Sequence, residues 1–369
     1  MVDGRISGMR QDATKLADSP FLGKYYTFAF SAETTRYSGY HNDEGQYQLE
    51  EVKMQSGYGY LTIKTDSKGG AKVTGQLPDG EKVSMSALVM PFITNDVLAA
   101  RLHVFASPSS YKKQDWFAMS LVIAPDGTVK SEECAAWTPA DLEGGYDEII
   151  VDPDGQDAEV FGDGALYSEA KSLENYYWAV SCEWNDNARQ QYSWKEDGET
   201  YYDNASAYEQ YFDDCGFFFN VAVKGDAKGA ISLVAKSPAP WVGKNGGESF
   251  WNYDEDKKGN EITDPSQLSI SFTKATGIFT GKANAYFDYW QPDYKKNRDG
   301  EYEDFGSDKH VTASLPYSGV MIYDGEGGYV GFGSAVHTYK YSYSEYYGGK
   351  PKTDTKKVTL PVSLTSSNP

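Results

Sequence analysis

The sequence is poor in the residue types from which most catalytic and metal centres are assembled: its 369 residues include 3 cysteines and 4 histidines. Cys134, Cys182 and Cys215 form no C-x-x-C pair, which excludes a zinc ribbon, a thioredoxin-type motif and a dense disulfide scaffold. One bridge from Cys182 to Cys215, or three buried thiols, stays open. His41, His103, His310 and His337 are scattered and no G-x-S-x-G occurs, so the motif signal of a serine hydrolase is absent. Gly75 to Lys82 brushes against a phosphate loop, but Glu81 stands where that motif has lysine. No apolar run reaches the roughly 18 residues of a membrane-spanning helix. Met1 to Ser19 is polar, reads as a short amphipathic helix and has no signal-peptide pattern. The expectation is a soluble chain, without membrane insertion, from which any export signal is missing.

Basic residues are also scarce: 34 Lys and Arg stand against 54 Asp and Glu, for a net charge of -20 and a pI near 4.6. Such a surface repels phosphate backbones and anionic headgroups. Nucleic acid is therefore not an expected partner. The charge suits an extracellular protein, a calcium-loaded one, or a binder of neutral or cationic ligands.

What is abundant points to strands. With 15% aromatic residues, 37 glycines and 30 tyrosines, the chain is too aromatic for disorder and too rich in glycine for a helical bundle. Its length exceeds the roughly 100 to 200 residues of an ordinary domain. An internal echo supports two related units. Tyr60-Leu-Thr-Ile-Lys-Thr-Asp-Ser-Lys-Gly-Gly reappears as Asn220-Val-Ala-Val-Lys-Gly-Asp-Ala-Lys-Gly-Ala, with Asp66 and Asp226 separated by 160 positions. Tyr25-Tyr26 is answered upstream by Tyr176-Tyr177.

In both copies apolar residues alternate into and out of an Asp-x-Lys-Gly turn, which predicts hairpins with one buried face and the glycine at positive φ. Leu61, Ile63, Val221 and Val223 belong to that face. A third, weaker hairpin runs from Leu268 through Gly277 to Phe287, and further short strands are expected at 83–90, 101–106, 116–123, 311–314, 320–323, 329–336 and 358–364. Helical pattern is confined to the N-terminus, 166–179 and 206–212.

The predicted class is mostly β: antiparallel sandwich or up-and-down barrel units, internally duplicated, with a few short helices. The predicted division is an N-terminal helical segment at 1–19, a first β domain at 20–138, an acidic linker at 139–164 and a second β domain at 165–369. That second domain carries irregular insertions at 237–265 and 291–309.

Candidate sites follow from residue type. Asp152, Asp154, Asp157 and Glu159 place carboxylates on one short loop where oxygen ligands could converge on calcium, although the spacing is not that of an EF-hand. The segments around Asp254 and Glu303 are similar but interrupted by lysines or aromatics. Tyr339, Tyr341 and Tyr343 share one face of a strand at period 2. They form either a stacking platform or the core side of an edge strand. Trp251 and Trp290, in or beside the long insertions, are the candidates for ligand-contacting rings.

The hairpin pieces Gly59-Tyr-Leu-Thr-Ile, Val73-Thr-Gly-Gln-Leu-Pro-Asp-Gly80 and Thr276-Gly-Ile-Phe-Thr-Gly-Lys282 resemble β-repeats of large, uncharacterised secreted or surface proteins of bacteria. The resemblance implies an extracellular or cell-surface setting and a structural or adhesive role, and brings no catalytic residues. The expected function is a non-enzymatic module that binds glycan or protein. The alternative is a glycoside hydrolase using paired carboxylates beside sugar-stacking rings.

Overall fold

In the computed structural model of the chain, the described residues are 19–41, 47–55, 57–94, 96–107, 117–131, 136–137, 149–150, 159–167, 177–182, 192–196, 199–203, 221–226, 228–234, 236–291, 294–296, 298, 302–304, 307–323, 328–343 and 352–367. All regular structure among them is β-strand. The first sheet contains β1 (Tyr25–His41), β2 (Tyr47–Gln55), β3 (Gly59–Thr65), β4 (Gly70–Gln76), β5 (Lys82–Leu88), β6 (Met90–Thr94), β7 (Val97–Ala106), β8 (Phe117–Ile123), β9 (Val129–Ser131), β10 (Ala136–Trp137), β11 (Ile149–Ile150) and β12 (Glu159–Leu166). There follow β13 (Tyr177–Cys182), β14 (Tyr192–Glu196), β15 (Glu199–Asp203), β16 (Val221–Gly225), β17 (Ile231–Leu233), β18 (Trp241–Asn245), β19 (Glu248–Asn252), β20 (Ser269–Thr273), β21 (Ile278–Gln291), β22 (Tyr294–Lys296), β23 (Tyr302–Asp304), β24 (Ser307–Tyr323), β25 (Tyr329–Tyr343) and β26 (Lys352–Ser367).

The first sheet is ordered β5-β4-β3-β1-β12-β9-β8-β7-β6, every neighbour antiparallel. Eight antiparallel steps separate β5 from β6, so these two strands run in the same direction, and only Val89 stands between them. They act as one strand that pairs first with β4 and then with β7, which curls the sheet until its ends meet. The second sheet, β17-β16-β13-β26-β25-β24-β21-β20, curls likewise, with β17 lying against β20. Counting β5 and β6 as one strand, each sheet is an eight-strand meander whose last strand pairs with its first. Asp66 and Asp226 occupy the same turn in corresponding hairpins. Each Oδ1 accepts two backbone N–H bonds, from Lys68 and Gly70 in one and from Lys228 and Ala230 in the other, at 2.7–2.9 Å. Gly69 and Gly229 close both turns at positive φ.

The alternating apolar faces point into the barrels. Tyr26, Phe28, Phe30, Leu61, Ile63, Val73, Leu102, Val104, Phe117 and Leu121 fill the first, and burial pushes the Tyr26 phenol up to about 12. Val223, Phe279, Ala285, Leu315, Met321, Leu360, Val362 and Leu364 fill the second. Lys64, Lys72, Lys82 and Lys130 of the first barrel face outward and are exposed.

The barrels dock side by side. Ala29, Tyr60, Val320 and Ile322 form an apolar cluster with Ala165, Ile278, Val330 and Phe332. Two residues of β1 face three on its partner between the Phe30–Gly59 and Glu33–Gln55 pairs, which makes a bulge. There the amide of Gly57 donates to Thr359 Oγ1 at 3.3 Å, and that of Tyr58 to the Gly333 carbonyl at 3.2 Å.

Two expectations need correction. Predicted helix 166–179 begins within β12 and ends within β13, and no described residue is helical; 168–176, 206–212 and 1–18 lie outside the described residues. The predicted linker 139–164 ends in β12, a strand of the first sheet. Its alternation is hidden because Gly162 and Gly164 stand at inward positions: a Cβ on Gly162 would lie 2.2 Å from Phe28 Cζ, and one on Gly164 2.9 Å from Phe28 Cβ. The glycines make room for aromatic rings from the neighbouring strand.

Candidate functional site

Between β17 and β20 the chain leaves the second barrel as a flap, closed at its base by short-range polar bonds. Ser237 Oγ accepts from the Asp264 amide at 2.6 Å, and Gln267 Nε2 donates to the Ser237 carbonyl at 2.8 Å. The Asp264 carboxylate is buried. It accepts from Ser266 Oγ at 2.5 Å and from the Leu268 amide at 3.2 Å, as a buried polar group requires. The Ser266 carbonyl accepts from the Asn284 amide at 2.6 Å, tying the flap to β21. Within the flap, Gly246 and Gly247 at φ of 60° and 103° form the two-residue turn of the β18–β19 hairpin.

That hairpin brings Trp251 onto the outer face of the barrel. Its half-buried ring lies edge-on to Tyr286 at 5.0 Å and to His310 at 5.7 Å between centroids, a favourable aromatic geometry. Tyr253 Oη donates to the Tyr286 carbonyl at 3.2 Å, and Asn284 Nδ2 to the Tyr286 hydroxyl at 3.5 Å. Burial raises the Tyr286 phenol above its ordinary value; the Asn284 bond opposes this and the Asp264 charge reinforces it. The phenol is thus neutral near pH 7. The cluster gathers the rings of Trp251, Tyr286 and His310 around one side-chain amide, Asn284, on the outer face of the barrel.

The remaining aromatic candidates lie on two long hairpins. Trp290 is placed by its backbone opposite Asp308 on the β21–β24 hairpin, four residues and roughly 13 Å along the strand from Tyr286. Tyr339, Tyr341 and Tyr343 stand opposite Lys356, Asp354 and Lys352 on the β25–β26 hairpin. The β24–β25 ladder stops at the Tyr317–Ala335 pair, beside Pro316, whose ring nitrogen has no hydrogen to donate. Beyond that point the two hairpins run on as separate arms. The β14–β15 hairpin lies against β21 and β25, one strand of each arm. It adds Tyr192, Trp194, Tyr201 and Tyr202 to the same end of the barrel. These four escaped the sequence reading, although the alternating Tyr192-x-Trp194 was the available signal.

Asp152, Asp154 and Asp157 lie outside the described residues, as do Cys134 and Cys215. Glu159 opens β12 directly opposite Glu33. Among the described residues no group of three or more His, Cys, Asp or Glu gathers as a metal site. Asp254 is exposed in the flap, and Glu303 stands opposite Lys295 on the β22–β23 hairpin. His103 Nδ1 is 2.7 Å from Ser120 Oγ, its opposite residue on β8, a cross-strand pair.

No family model matches the chain, and no curated protein matches it. Among solved structures, a crystal structure of a Pseudomonas aeruginosa FadL homologue matches at 8% identity, over 95% of this chain and 90% of that chain, with a TM-score of 0.10. A likeness of that size carries no argument.

Proposed function

We propose that the chain is a non-enzymatic extracellular or cell-surface module, structural or adhesive, that presents aromatic hairpin arms to a glycan or protein ligand. The observation that carries this reading is the splitting of the second sheet at Pro316 into two arms. One carries position 290 and the other positions 339, 341 and 343, with the β14–β15 hairpin between them. The barrel interiors are lined by packed apolar side chains, which favours an outer binding surface. The outward lysines and inward apolar faces support a protein that works in water, and the net charge of -20 favours an uncharged or cationic ligand.

The test is a glycan array run beside a hydrolysis assay on the same glycans, with the Trp290→Ala and Tyr341→Ala variants. The expected result is retention of an unmodified ligand, weakened at least several-fold by either substitution with the thermal midpoint unchanged. Turnover that disappears on Asp254→Asn or Glu303→Gln would replace this reading with a glycoside hydrolase, because a lectin needs no titrating carboxylate.

A further inference from the structure

The outer face of the first barrel runs against the charge of the chain. Among the described residues from 57 to 131, every acid lies outside a strand: Asp66, Asp79, Glu81, Asp96 and Asp126. The outward positions of β3 to β8 carry Lys64, Lys72, Lys82 and Arg101 instead, in a chain of net charge -20. Lys64 and Lys72 stand directly opposite each other on β3 and β4, a like-charge pair that costs stability. A carboxylate placed beside both would relieve that cost.

The same face is apolar as well as cationic. Of the eight large hydrophobic side chains exposed among the described residues, five belong to it. Leu88 and Phe105 are 56% and 61% exposed on β5 and β7, and β5 lies beside β7. Ile93, Val97 and Leu98 are exposed at the end of the β6–β7 hairpin that borders them. Arg101 holds its guanidinium carbon 4.5 Å from the centre of the Phe92 ring. On one side the face ends at the second barrel, where Gln76 bonds Ser334. On the other it ends at β9, where Lys130 meets Asp163 of β12. Exposed apolar surface rimmed by polar groups marks an interaction site.

We propose that this face of the first barrel binds an acidic polypeptide, whose carboxylates meet Lys64, Lys72 and Arg101 while its apolar side chains rest on Leu88 and Phe105. Charge complementarity selects the anionic partner. The aliphatic groups select a polypeptide over an acidic polysaccharide, because Leu88, Ile93 and Val97 offer no ring face to a sugar. Asp96, exposed at the turn of the hairpin, is repelled by an anionic bilayer. The site lies on the other barrel from the aromatic arms and is independent of any ligand they hold.

The intact chain is titrated into a random copolymer of glutamate and tyrosine, and in parallel into heparin and into vesicles of phosphatidylcholine and phosphatidylglycerol. The expected result is saturable binding of the copolymer at about 0.05 M salt that weakens at least about tenfold by about 0.3 M. Lys64→Glu combined with Lys72→Glu abolishes it; both positions are exposed and the reversal leaves one like-charge pair in place of another, so the fold persists. Leu88→Ser combined with Phe105→Ser weakens it several-fold. Lys224→Glu, at an exposed position of the second barrel, leaves it unchanged. Unchanged circular dichroism verifies that each variant folds. Absence of copolymer binding, binding indifferent to the lysine reversal, or heparin or vesicles held as tightly as the copolymer overturns the proposal.

Discussion

Gln76 is the residue whose loss most directly tests how the two barrels are held together. It ends β4 on the first barrel, yet both side-chain partners belong to the second. Its Nε2 donates to Ser334 Oγ at 3.0 Å, and its Oε1 accepts from Ser318 Oγ at 2.8 Å. Gln76 is 4% exposed and Ser334 0%, so water cannot replace the lost partner at Ser334. Ser318 is half-buried and can turn toward solvent. Gln76→Met keeps the side-chain volume and removes both bonds. At about 1 kcal/mol for the bond to half-buried Ser318, and about 1–3 kcal/mol for the buried Ser334 hydroxyl left without its partner, the expected loss is about 2–4 kcal/mol. Urea unfolding followed by tryptophan fluorescence and far-ultraviolet circular dichroism measures it. With a slope of about 3 kcal/mol/M or more for a chain of this size, the midpoint falls by up to about 1 M. A shift worth less than about 0.5 kcal/mol would refute the claim that this polar pair is fully desolvated and fixes the docking.

Three further outcomes are expected. Gly162→Ala places a methyl 2.2 Å from Phe28 Cζ and destabilises by about 1–3 kcal/mol through overpacking; thermal melts should show partial recovery in the Gly162→Ala, Phe28→Leu double variant, and equal midpoints for single and double variants would contradict the packing. The carboxyls of Asp66, Asp126 and Asp256 are held below their ordinary value, chiefly by the amide of Gly70, the amide of Thr128 and the side chain of Asn260 respectively. Their contribution is present above the ordinary value of 3.8 and is lost as pH falls through the depressed folded values; the triple Asp→Asn variant should therefore lose less stability than the parent on acidification, and parallel acid limbs would count against it. If calcium binds the loop from Asp152 to Glu159, chelator lowers the thermal midpoint and Asp154→Asn abolishes that response; equal midpoints leave a solvated acidic turn.

Strand alternation and turn chemistry are local, and they were legible in the sequence. The hairpins around Asp66 and Asp226 follow from period-2 apolar residues leading into an Asp-x-Lys-Gly turn, and one meander topology underlies both copies. The strand β12 was not legible, because Gly162 and Gly164 leave no apolar side chain to count. Their reason is the bulk of Phe28 and Phe30, which lie more than a hundred positions earlier in the chain. The helical reading of 166–179 gives way to strand at both described ends, and there Tyr167 is held by Lys274 and Gly277 of the other barrel, not by neighbours one helical turn away. Trp251 was identifiable as an aromatic in an insertion, but only the folded flap turns it half-inward onto Tyr286 and His310. Composition likewise determined the net charge of -20. Closure through Val89, the split at Pro316 and the docking of one barrel on the other were decided by tertiary structure, because each depends on which strand lies alongside, and residues distant in sequence settle that.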